Sequence, residues 1–176
     1  MIRKNAIGFV FGTCAALLLA LCLASGCAHS DFDFGENTFV AQLADGSEVT
    51  SRSRGVKPLL DAIDDDPAKF VGAKCYDRVV GRAAAFLYAK LGVAEVYAPV
   101  MAEGAVPILE RHGIRARHGK LVSGIRNRKD DGPCPMEHSV RNVADTDVDV
   151  AVAAVRAVVA TLRAQASKED KRGSIR

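Results

Sequence analysis

Asp77-Arg78-Val79-Val80-Gly81-Arg82-Ala83-Ala84-Ala85-Phe86-Leu87-Tyr88-Ala89-Lys90-Leu91-Gly92, followed at once by Val93-Ala94-Glu95-Val96-Tyr97-Ala98-Pro99-Val100, is the stretch that decides the fold. From Asp77 to Leu91 the apolar residues fall nearly all round a helix, the pattern of a buried helix. Gly81 and the run Ala83-Ala84-Ala85 permit close approach to a neighbouring layer; Gly81 costs ~1 kcal/mol of helix propensity, a sign of tight packing there. Gly92 supplies the stop. The apolar run from Val93 to Val100 then reads as a strand. A buried helix feeding a buried strand belongs to a layered α/β domain.

The flanks repeat the alternation. Thr38 to Leu43 reads as a strand, Asp45-Gly46 as a tight hairpin turn, and Glu48 to Ser53 as the return strand. Gly55 breaks the run, and Lys57-Pro58 opens a helix to about Ile63 that ends in Asp64-Asp65-Asp66-Pro67. That acidic triplet reads as a solvated helix end, with cation binding as the rarer alternative. On the far side, Ala102 to Arg111 is a helix stopped by Gly113, and Ile114 to Arg117 begins another strand. A short helix runs from about Pro135 to Asn142. Asp145-Thr146-Asp147 caps the last one, whose stripe is Val148, Val152, Val155, Val159 and Leu162. The expectation is one α/β domain over residues 38–166, three layers (α/β/α) around a mixed sheet of about four to five strands. It follows a polar tether, 28–37, and precedes a charged, frayed tail, 167–176.

The first 27 residues read separately. Arg3 and Lys4 precede an uncharged run from Ala6 to Cys27, the form of a secretory signal. Leu23-Ala24-Ser25-Gly26-Cys27 resembles the lipobox of bacterial lipoproteins, with Ala24 where the usual Leu stands. The resemblance implies lipidation of Cys27, attachment to the membrane and a place in the cell envelope. An uncleaved anchor, an ordinary cleaved signal, and a mis-assigned start on a cytoplasmic protein are the other readings. Of 24 basic residues only Arg3 and Lys4 lie in this segment, leaving 22 against 21 acidic. That balance gives no general attraction for nucleic acid. Five cysteines become three, Cys27, Cys75 and Cys134. If Cys27 carries lipid, the remaining pair is compatible with a disulfide or with two thiols.

Chemistry concentrates at Pro133-Cys134-Pro135-Met136-Glu137-His138. Proline at a first helical turn places a thiol and a carboxylate near the positive end of that helix. Arg111 to Lys129 carries seven Lys or Arg and no acid. Arg126 and Arg128 just before the helix make either an anion site or a solvated loop. His112, His118 and His138 have no ligand spacing and read as surface histidines. Cys134 as a nucleophile needs a base; His138 is one turn away, without an identifiable orienting group. No nucleophile elbow, P-loop or dinucleotide fingerprint is present.

Gly55-Val56-Lys57-Pro58-Leu59-Leu60, Asp77 to Ala85, Val96 to Val100, and Ile125-Arg126-Asn127-Arg128 with Cys134-Pro135-Met136-Glu137 together resemble an uncharacterised prokaryotic domain-of-unknown-function family with a cytidine-deaminase-like fold. The resemblance covers roughly Phe39 to Leu162 and implies no established activity. Two features depart from it: no helix precedes the first strand, and a secretion signal is unexpected for a fold that acts on cytosolic nucleotides. Zinc deaminases place His or Cys, Ala and Glu at one helix start and Pro-Cys-x-x-Cys at another. Here Glu137 stands in place of the second Cys, and Cys75-Tyr76-Asp77 only echoes the first motif. A working zinc site would use Cys75, Cys134 and Glu137 as ligands with Asp77 as acid–base group. A degenerate site without cofactor would bind a small anionic or nucleotide-like ligand, in a pocket between helices starting at Asp77 and Pro135. Asp77 and Glu137 would accept its hydrogen bonds, Arg78 and Arg128 would pair with its charge, and Asn127 and Cys134 would complete the wall. In the plain alternative Asp77 and Glu137 cap their helices, Cys134 is a small apolar side chain, and the protein is a structural element of the envelope.

Overall fold

A computed structural model describes residues 32–127 and 129–173; the signal-like segment with Cys27, and Arg128, lie outside the described residues. The chain is an α/β domain with a mixed sheet flanked by helices, consistent with the three-layer α/β/α class. In chain order the elements are β1 (Phe39–Gln42), β2 (Glu48–Ser51), α1 (Lys57–Asp65), β3 (Lys74–Asp77), β4 (Val79–Val80), α2 (Arg82–Leu91), β5 (Glu95–Ala102), α3 (Val106–Arg111), β6 (Arg115–Val122), α4 (Pro135–Val140) and α5 (Val148–Gly173). Short 3-10 turns at Pro67–Phe70 and Glu103–Ala105 precede β3 and α3.

β1 pairs antiparallel with both β2 and β3. β5 pairs parallel with β3, β4 and β6. Lys74 opposes Glu95 and Val79 opposes Val100, so β3 and β4 are one strand track, interrupted at Arg78. Among the described residues β6 pairs only with β5 and forms one edge of the sheet; β2 forms the other.

Strand alternation sorts the two faces. Ala41, Cys75, Val96 and Ala116 stand in one cross-sheet row and join the core beneath the helices. Val40, Tyr76, Tyr97 and Arg117 form the row on the opposite face. There Phe32 stacks on Tyr76 at 3.8 Å and the Arg117 guanidinium lies 5.9 Å from the Tyr97 ring centre.

α2 is the central helix, buried from Ala83 through Tyr88 and at Leu91, and contacted by α1, α3, α4 and α5. Its start corrects the sequence reading. The helix begins at Arg82, not Asp77; Asp77, Val79 and Val80 are extended. The β-branched pair Val79-Val80 finds partners in Val100 and Met101, and sheet pairing outweighs helix propensity. Gly81 is therefore the N-cap rather than an interior glycine. Gly92 ends the helix in the left-handed conformation at φ +66°. The residues read as a frayed tail also differ: α5 continues through Gly173. Its first half packs through Val152 and Val155, and its later turns stand largely exposed.

Candidate functional site

The N-termini of α2 and α4 sit side by side, joined by one carboxylate. Glu137 Oε2 accepts from the Arg82 N–H and Oε1 from the Ala83 N–H, each at 3.0 Å. These are orphan donors of the first turn of α2, so Glu137 caps that helix from a distant segment. The arrangement needs a glycine at 81, since a Cβ there would lie 2.3 Å from Glu137 Oε1. Arg82 ties the same corner by donating to Gly104 O, Val143 O and Asp145 Oδ1.

Beside this junction lies a groove of about 900 Å³, within the usual range for ligand sites. Asp77, Val79 and Ala83 lie on one side; Ile125, Arg126, Asn127, Lys129, Cys134 and Met136 on another; Val159, Leu162 and Arg163 of α5 close it. Five large apolar side chains are exposed among the described residues, and two of them, Val79 and Leu162, line this groove. Its basic side chains are Arg54, Lys57, Arg126, Lys129 and Arg163. Lys57 pairs with Asp61 and Arg126 with Asp130. Arg54, Lys129 and Arg163 make no ion pair among the described residues.

Asp77 stands on the helix face of β3 because it follows Cys75 by two residues. It is half-buried, with Oδ2 accepting from Tyr88 Oη at 2.9 Å and Oδ1 from the Val79 N–H at 3.3 Å. Burial raises its carboxyl from 3.8 to about 7, and the hydrogen bonds from Val79 and Tyr88 only partly oppose this. Burial likewise raises Tyr88 and, with the charge of Asp77, the buried Cys75 thiol.

The sequence-derived residues thus separate. Asp77, Asn127, Cys134 and Glu137 all line the groove. Glu137 is occupied by its capping bonds, so it does not offer both oxygens to a ligand. Asn127 organises its own loop: Nδ2 donates to Asp131 Oδ1, and Oδ1 accepts from the N–H groups of Lys129 and Asp131. Arg78 points away. It donates to Gly35 O and Asn37 O at 2.8 and 2.9 Å and lies over Phe34. Arg128 lies outside the described residues. The basic stretch is partly neutralised, since Arg115 and Arg117 both pair with Glu95. His138 Nδ1 faces Arg141 Nη1 at 3.2 Å.

The zinc ligand set does not fit. Among the described residues no three His, Cys, Asp or Glu side chains converge on a common point. Cys75 is buried in the core row, and Cys75 and Cys134 are both free thiols. The sequence reading assigned no site role to Arg54 or Arg82, took Gly81 for an interior helix glycine, and read Val159 and Leu162 only as a helix stripe. Only Arg52-Ser53-Arg54 carried a readable signal, two arginines on one side of an extended segment.

Fold and groove together define an α/β domain with a basic, partly apolar cleft at the junction of two helix starts. The chain belongs to the TM1506 family, a domain of unknown function (DUF1893), whose model matches residues 28–157. Among solved structures it is similar to a DUF1893 family protein (TM1506) from Thermotoga maritima. The identity is 20%, the match covers 71% of this chain and 80% of that one, and the TM-score is 0.59. At that identity the likeness speaks for the fold alone. No curated protein matches the chain.

Proposed function

We propose that the domain binds a small anionic or nucleotide-like ligand in the groove between the starts of α2 and α4, on a deaminase-like frame whose metal position is taken over by the Glu137 cap. One observation carries this reading: exposed Val79 and Leu162 share a cavity of about 900 Å³ with Arg54, Lys129 and Arg163. Apolar walls bury a ring or chain, and guanidinium and ammonium groups supply the pull for negative charge. Asp77 at the base accepts a hydrogen bond when ionised and donates one when protonated, and near neutral pH both forms are populated. A thermal-shift screen with nucleosides, nucleotides and small carboxylates tests the reading. At least one class of compound raises the melting temperature, and Leu162→Asp removes the shift. Hits that Leu162→Asp and Asp77→Ala leave unchanged would place the binding elsewhere.

The envelope location is part of the same proposal. Cys27 precedes the first described residue, Phe32, by five positions, so a lipid there would hold the domain close to the bilayer. Fatty-acid labelling in cells tests it: incorporation in the native chain and none in Cys27→Ser.

A further inference from the structure

The groove does not end at Asp77. Beyond Asp77 and Val79 a second hollow of about 500 Å³ opens, and Arg54, Gly55, Asp77 and Val79 line both spaces. The smaller hollow is bordered by three guanidinium side chains, Arg52, Arg54 and Arg78, with Glu36 and Asp77 as its carboxylates. Arg78 is fixed by Gly35 O and Asn37 O, and Arg52 pairs with Glu36 at 2.7 Å on the exposed rim. Arg54, on the wall shared by the two hollows, makes no hydrogen bond or ion pair among the described residues.

We propose that the two hollows form one bipartite site for a nucleoside phosphate, its phosphates against Arg52, Arg54 and Arg78 and its nucleoside in the larger groove against Val79 and Leu162. The inference rests on the ligand-binding reading of the groove and adds the ligand's class and direction. The division follows from chemistry. The smaller space is walled by planar forked donors that match phosphate oxygens two at a time. The larger space carries the exposed apolar side chains that a base needs to leave water. Arg54 stands where the two meet, and among the described residues no hydrogen-bond or ion-pair partner competes for it. Arg78 is already immobilised by the 35–37 loop, so it presents its remaining donors without further ordering.

Calorimetric titration of the full chain tests this with the four ribonucleosides, their diphosphates, and pyrophosphate. The expected result is a diphosphate that binds about tenfold or more tightly than its own nucleoside. Arg54→Ala removes most of that advantage and leaves nucleoside affinity in place; Arg54→Lys restores part of it. Arg54 makes no hydrogen bond or ion pair among the described residues, so both variants keep a melting temperature close to that of the native chain. A nucleoside that binds as tightly as its diphosphate, or a diphosphate affinity indifferent to Arg54→Ala, overturns the bipartite site while the groove reading stands. Failure of every probe to bind overturns both.

Discussion

Replacing Asp77 with Asn keeps the side chain's shape and removes its ionisation. The amide oxygen still accepts from the Val79 N–H, and the amide nitrogen donates to the Tyr88 hydroxyl, so the local geometry survives. In the native chain the folded carboxyl titrates at about 7, above its ordinary 3.8, because burial disfavours the charge. A raised folded value means the folded state holds the proton more tightly than the unfolded one. The resulting stability is complete below about pH 4 and is lost as pH rises through about 7. Each pH unit in that window changes stability by at most about 1.4 kcal/mol, so the gap of about three units sets a ceiling near 4 kcal/mol. Asp77 is only half-buried, and residual hydration reduces the effect to about 2 kcal/mol. Urea unfolding of both proteins across this range is the assay. The two match at about pH 4, and Asp77→Asn is more stable by about 2 kcal/mol at about pH 8. Unfolding free energies that stay parallel over the whole range would refute the burial argument for this carboxyl.

Further outcomes follow from the site geometry. Glu137→Ala leaves two first-turn amides of α2 without their acceptor and costs about 1–2 kcal/mol in chemical denaturation. Gly81→Ala drives a Cβ into the Glu137 carboxylate and costs a similar amount. The double variant is no worse than Gly81→Ala alone, because both changes remove one interaction, and additive losses would contradict the shared cap. Arg82→Leu strips donors from Gly104 O, Val143 O and Asp145 and lowers stability by about 2–3 kcal/mol in the same assay. In a chain whose Cys14, Cys22 and Cys27 are replaced by Ser, a thiol reagent modifies Cys134 before unfolding and Cys75 only with it. Metal analysis of purified protein decides the zinc alternative: the expected content is less than about a tenth of an equivalent, and a full equivalent would overturn the metal-free reading of the groove.

The α/β class was legible because Phe86, Leu87, Leu91, Val96 and Ala98 are apolar in the spacing that a buried helix and strand demand. Turn chemistry was equally open, as Gly46, Gly55, Gly92 and Gly113 all adopt positive φ where the sequence placed breaks. The start of α2 was not legible. Asp77-Arg78-Val79-Val80 is short and mixed, and only distant partners decide that it is extended: Phe39 of β1 opposite Asp77, and Val100 and Met101 of β5 opposite Val79 and Val80. That single shift moves Asp77 from a helix tip to a strand end and hands the tip to Glu137. The groove was hidden for the same reason: Arg54, Val79 and Leu162 come from three elements whose meeting no local pattern records. Arg78 shows another limit, since its charge was legible but the carbonyls of Gly35 and Asn37 turn it out of the larger groove and onto the smaller hollow.

The outer rim of β6 has a bearing on solubility. Its eight residues pair on one side only among the described residues, a length that invites another chain to extend the sheet. Arg115, Arg117 and Lys120 are exposed along it, so two copies meeting rim to rim would oppose cation to cation. The opposite rim, β2, is four residues long and offers little to grip. The same positive charge that does nothing for the cleft thereby guards the molecule against growth into sheet-linked aggregates, and exchanging those three residues for threonine would expose that hazard.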